Sequence, residues 1–167
     1  MPLAREQGST ASTRKAMRAG EGEGVLRRLL LALVMVGALG LGAELFLLEH
    51  FESTWQWAPL AVLAFIVVAG LAMGLRPTRA TVRLFQLGMV LAVAAGLVGL
   101  YLHYRGNAEF ELESDATVQG MALVWAALRG ATPALAPGAM VQLGLLGLIL
   151  AHRHPALGAR NNPGETR

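Results

Sequence analysis

Apolar positions in this chain fall into four runs separated by polar segments. The first covers residues 29–48, LLLALVMVGALGLGAELFLL, and holds one charge, Glu44, near its far end. The second covers 57–75 and stops at Arg76 and Pro77. The third covers 84–104. The fourth covers 134–151 and ends before His152-Arg153-His154-Pro155, with Pro137 in its first turn. A helix needs about 20 mainly apolar residues to cross a bilayer, and proline is tolerated in a first turn because its missing N–H would be unpaired there anyway. The pattern predicts an all-α membrane protein, a four-transmembrane-helix bundle occupying residues 25–155.

Small residues recur along these runs at spacings that allow close helix approach. Gly70 and Gly74 are four apart in the second run. Gly88, Ala92 and Gly96 follow the same step in the third, with Gly99 beyond. Gly37, Gly40 and Gly42 lie in the first run, and Gly144 and Gly147 in the fourth. Membrane helices associate through van der Waals packing of this kind, so the stripes are read as bundle packing.

Composition sharpens the picture. Hydrophobic residues make up 54% of the 167 positions and charged residues only 15%, against about 25% charged in soluble domains. The basic residues are Arg except for Lys15, and their placement sets an orientation. Arg5, Arg14, Lys15, Arg18, Arg27 and Arg28 precede the first run. Arg76, Arg79 and Arg83 lie between the second and third, and Arg153, Arg160 and Arg167 follow the fourth. The opposite side carries only Arg105 and Arg129. Cytoplasmic loops retain Arg and Lys, so both termini are expected in the cytoplasm, with the chain in a bacterial inner (plasma) membrane. Trp55, Trp57, Tyr101 and Tyr104 fall at the outer boundary, where aromatic anchors belong. A basic start before an apolar run also fits a cleaved signal, with a small-residue site at Gly40-Leu41-Gly42. The run continues past that site to full spanning length, which favours an uncleaved anchor.

The polar ends are read as tails. Residues 1–24 are too polar to bury a core, so they are expected to be a disordered cytoplasmic segment, and 156–167 form a second cytoplasmic tail. The outer loop, 105–133, is richer. Arg105-Gly106-Asn107 reads as a turn. Acidic and apolar residues then alternate from Ala108 to Glu113, which in an extended segment would place Glu109, Glu111 and Glu113 on one edge. Asp115 reads as the cap of a short helix over 116–129, with Val118, Met121, Trp125 and Leu128 at helical spacing. That helix is too short to span.

Few side chains in the runs carry chemistry. Glu44 is an ionisable group inside a span, and such groups are functional candidates. Stepping 100° per residue puts it on one face with Gly37, Gly40, Leu41, Leu48 and Phe51, a face expected to meet the bundle. His50 and His103 mark the outer ends of the first and third spans. With Glu44, Glu49 and Glu52 nearby they are weak candidates for a metal site or a haem held between two histidines. His50, His103, Arg105, Glu109, Glu111 and Glu113 together form a candidate outer polar cluster. Gln86 and Gln142 are expected to be buried amides that bond between helices. The cations at 152–154 suit the C-terminal end of a helix.

Several activities lack their residues. With no cysteine, thiolate chemistry and disulfides are excluded. No phosphate-binding Gly-Lys-Ser/Thr loop, no Gly-x-Ser-x-Gly and no His-Glu-x-x-His occurs. The basic residues flank apolar runs instead of forming a nucleic-acid surface. No motif assigns an enzyme activity or a cofactor. The first reading is a binding or accessory role beside the lipid bilayer, with a membrane protein partner or a second copy of the chain. The second is a small transporter or proton-coupled carrier using Glu44, and the third a haem- or metal-binding protein using His50 and His103.

Overall fold

The computed structural model describes residues 3–49, 52–130, 135 and 137–158, with the backbone alone for 3–19. Among these the chain is helical throughout, without a strand. The helices are α1 (Leu3–Leu47), α2 (Trp57–Leu75), α3 (Arg79–Ser114), α4 (Gly120–Leu128), α5 (Gly138–Ala151) and α6 (Pro155–Gly158). Three stretches are long and apolar enough to cross a membrane: Gly20–Leu47, Thr54–Leu75 and Arg79–Ser114. The fourth apolar helix, α5, has 14 residues and is therefore about 21 Å long, short of the usual span.

Proline and hydroxyl groups set the reversals. Ser53 and Gln56 form a reciprocal capping box before α2, with the Ser53 amide donating to Gln56 Oε1 at 2.8 Å. Pro77 ends α2, since it has no N–H and disfavours helical backbone in the residue before it. Thr78 then caps α3: its hydroxyl accepts from the Thr81 amide at 3.2 Å. Thr81 Oγ1 accepts from the Thr78 amide at 2.9 Å and donates to the Arg76 carbonyl at 2.8 Å.

The core is a single cluster along the helix axes. Phe85, Ile66, Met89, Val34 and Val82 are its largest fully buried side chains. Helix α3 is central, with α2 on one side and α5 on the other, and α1 closes the bundle against α2 and α5. The glycine stripes mark the contacts. A Cβ on Gly144 would stand 2.6 Å from the Met89 carbonyl oxygen, and one on Gly96 would stand 2.9 Å from the Val141 amide nitrogen. Gly147 faces the Met89 side chain and Gly99 the ring of Pro137. Helices α3 and α5 therefore touch backbone to backbone. Gly70 and Gly74 receive Met35 and Leu31 of α1, and Gly88 receives Phe65 and Ile66 of α2. Gly40 and Gly42 face open space. The surface of the bundle is as apolar as its interior: Leu75 is 81% exposed, Ile149 69% and Val36 67%.

Two expectations about the outer polar segment are corrected. The turn at Arg105-Gly106-Asn107 and the extended segment after it do not form, because α3 continues unbroken to Ser114. The Arg105 and Glu109 side chains pair one turn apart at 2.7 Å, and Ala, Glu, Phe and Leu are all compatible with a helix. Glu109 and Glu113 consequently share one face, and Glu111 is turned about 160° from each. The helix expected over 116–129 is the shorter α4. Asp115 folds into a local turn instead of capping it, its Oδ1 accepting from the Thr117 amide at 2.9 Å and hydroxyl at 2.6 Å. Helix α1 also runs back to Leu3 through the polar segment expected as a tail.

The backbone contact of α3 with α5 predicts opposite signs for two equal substitutions. Gly144→Ala should cost about 1–3 kcal/mol through overpacking. Gly42→Ala, in open space, should be neutral or stabilising by up to about 1 kcal/mol through helix propensity. Thermal unfolding in detergent would measure both, and equal effects would contradict the packing described.

Candidate functional site

Polar side chains gather at the two ends of the bundle. At the end where α5 stops, its last carbonyls have no helical partner. Arg27 of α1 reaches across, its Nη1 donating to the Leu150 carbonyl at 2.9 Å and to the His152 carbonyl at 3.5 Å. Its Nη2 pairs with Glu23 at 2.9 Å. Gln86 of α3 donates through Nε2 to the Ala151 carbonyl at 3.3 Å. An unpaired backbone carbonyl in an apolar setting costs several kcal/mol, and a cation complements the negative end of the helix dipole. Sequence reading assigned Arg27 to membrane flanking only. Its bond to α5 lies 123 positions away in the chain, and no local signal announces it.

His154 completes this end. Its Nδ1 accepts from the Ala156 amide at 3.2 Å and so starts α6. Burial holds the imidazole below its ordinary pKa, and the Arg27 charge adds to the shift.

At the opposite end α3 extends past its apolar stretch and α4 folds back along it. Asn107 is 3% exposed, and its Nδ2 donates to the Ala127 carbonyl at 2.9 Å. Gly130 packs against Asn107 so closely that an added Cβ would stand 2.6 Å from its Cγ. His103 and Glu111 lie one turn before and after Asn107 on the same face, and both are half-buried. Arg105, Glu109 and Glu113 occupy the outward face and are exposed. The hairpin also exposes apolar groups: Met121 is 79% exposed, Trp125 61% and Phe110 58%. Asp115 at its tip is held below the ordinary carboxylate pKa by its bonds to the Thr117 hydroxyl and amide.

The candidates inside the spans fare differently. Glu44 is exposed, against the expectation that its face meets the bundle. Gly37 on that face does meet Leu143 of α5. Helix α5 reaches only five residues further, about 7.5 Å, whereas Glu44 lies seven residues beyond Gly37, about 10.5 Å. The cover ends before Glu44 is reached. Arg105 is paired with Glu109. Gln86 is half-buried and bonds to the end of α5, whereas Gln142 is exposed on α5 and makes no hydrogen bond to a described residue. His50 and Phe51 lie outside the described residues. Among the described residues no three His, Asp or Glu side chains gather as a metal site.

No family model, curated protein or solved structure matches this chain.

Two outcomes follow. Asn107→Leu should release α4 while leaving the core of α3 intact, at a cost of about 1–3 kcal/mol for the lost buried bond; hydrogen exchange of the α4 amides should then quicken by roughly tenfold or more. The pH test concerns His154. Its folded pKa lies below its ordinary value of 6.5, so the stability that it contributes is present above that pH and is lost as pH falls through the folded value. Protection factors in 152–158, which divide out the intrinsic pH dependence of amide exchange, should fall on acidification, and His154→Gln should flatten that response; protection that falls as pH rises would refute it.

Proposed function

We propose that the chain is a four-span inner-membrane protein with both termini cytoplasmic, serving as a binding or accessory subunit through its outer hairpin. The observation behind this reading is the length and dressing of α3. At 36 residues it is about 54 Å long, while the hydrocarbon core of a bilayer is about 30 Å thick. A crossing that begins at the Arg79 end leaves about the last 16 residues beyond the hydrocarbon core. The segment carrying Asn107 and Glu113 then stands in water with α4 braced against it.

A rigid support with exposed aromatic and methionine side chains is what protein interfaces favour. Met121, Trp125 and Phe110 supply apolar anchors, and Glu109, Glu113 and Asp115 supply an acidic rim that steers a basic partner surface. The fourth crossing in this reading consists of α5 and the residues just before it. Met140, Leu143 and Leu150 of α5 belong to the core, which supports placing it at the same depth as the longer helices. The twelve-to-two distribution of Arg and Lys supports the orientation.

The carrier reading gains no support from the bundle, since Glu44 is on its outside. The test is native mass analysis after mild detergent extraction from the protein's own membranes. The wild-type chain should carry a second polypeptide, and Trp125→Ser with Met121→Ser should weaken that association by about tenfold or more. Full retention by the double variant, or the lack of any second polypeptide, would sink the recognition role.

A further inference from the structure

We infer that α5 forms a symmetric contact with α5 of a second copy of this chain, with Gln142 at its centre. The inference rests on the membrane-spanning reading above and is independent of the outer hairpin.

The buried face of α5 is spent on its own bundle: Leu143 meets Gly37, Gly144 and Gly147 meet α3, and Met140 and Leu150 join the core. The opposite face carries Gly138, Gln142, Leu145 and Ile149. Their steps of four, three and four residues confine them to an arc of about 60°. Leu145 is 50% exposed and Ile149 69%, Gln142 is exposed, and a Cβ on Gly138 would meet nothing within 4 Å. This is the spacing with which two helices interlock along a seam, and a single polar residue in such a seam sets its register.

Depth gives Gln142 its significance. Ala151 sits beside Gln86 near one end of the bundle. Gln142 is nine residues further along, about 14 Å, and so near the middle of a hydrocarbon core about 30 Å thick. Among the described residues nothing in a single copy bonds a carboxamide there, and lipid cannot bond its N–H or C=O groups. Its chemistry selects the occupant. An amide is both donor and acceptor, and an identical amide across a two-fold axis along the membrane normal returns both bonds. In an isologous contact residue i meets j and j meets i, and only residues on the two-fold axis meet their own counterparts; with Gln142 at the centre of the seam, on that axis, it faces Gln142 of the second copy. Glu44 lies nearer the end of its helix, where a carboxylate reaches the interface, and does not make the same demand.

The chain contains no cysteine, so a single introduced thiol reports the contact cleanly. Gln142→Cys and, separately, Ile149→Cys are oxidised in native membranes, with Val90→Cys on the exposed face of α3 as the comparison. Both α5 variants should form a disulfide-linked species of twice the 17.6 kDa chain mass, and Val90→Cys should stay monomeric. In detergent, Gln142→Leu should weaken the wild-type dimer by roughly three- to tenfold. Monomers at both α5 positions, equal cross-linking at Val90→Cys, or linkage of Gln142→Cys to a foreign chain would each overturn the inference. Alkaline carbonate extraction separates its failure from that of the membrane reading. Release into the supernatant defeats the spanning reading itself, whereas a chain that stays in the pellet and fails to cross-link defeats only the dimer.

Discussion

The bundle depends on the backbone contact between α3 and α5. Where Gly144 and Gly147 lie against Met89, and Gly96 and Gly99 against Pro137 and Val141, the two helices leave no room for a Cβ between them. In lipid no hydrophobic force drives helices together, because the solvent is as apolar as the side chains. Dispersion from close contact, together with a few hydrogen bonds, must suffice. The glycines give α5 many such contacts for its 14 residues. They also set its register, which brings Leu143 opposite Gly37 and Leu150 within reach of Arg27. Helix α1 is thereby tied to α5 at two levels, one steric and one polar.

The polar level explains how so short a helix can end inside the fold. The carbonyls of Leu150, Ala151 and His152 accept from Arg27 and Gln86. A surface ion pair is worth little, and the Arg27–Glu23 pair by itself would be such a case. The same guanidinium donating to orphan carbonyls removes a much larger desolvation cost. Arg27 thus has a structural role beyond its place among the basic residues that flank the apolar run. His154, neutral and accepting from Ala156, keeps the chain turned against α3 beyond that point.

Much of this was legible because bilayer proteins write their spans in composition. The second run and α2 share the bounds Trp57–Leu75, since Pro77 and the aromatic pair mark both ends. The glycine stripes identified the contact faces of α2, α3 and α5, although Gly40 and Gly42 show that glycine alone does not choose the face. The outer segment was misread for a physical reason. Strict alternation of Glu with apolar residues has the period of a strand, but in a helix the same letters place Glu109 and Glu113 together. The helix is favoured by the Arg105–Glu109 pair one turn apart and by Asn107 bonding to Ala127, twenty positions away, and single-sequence periodicity carries no trace of the second bond. Gln142 was expected inside for a similar reason. Its run is apolar all round, so the sequence offers no polar face to orient the helix, and only the glycine contacts decide which side turns outward.

Seen from its two solvents, the molecule has two inverted surfaces. Met121, Trp125 and Phe110 are apolar groups on a hairpin that the proposed topology holds in water, and Gln142 is a polar group that the same topology holds in lipid. Each is unfavourable where a lone chain leaves it, for opposite reasons. Apolar area in water costs in proportion to its extent and is relieved by any complementary apolar surface. A lone amide in hydrocarbon costs through two unmade bonds and is relieved only by a partner that supplies both. The hairpin can therefore serve a different protein, whereas the α5 seam is best matched by an identical copy. On this proposal the two surfaces would lie at different depths, and a two-fold axis along the α5 seam would leave the hairpins of both copies free to engage partners at the same time.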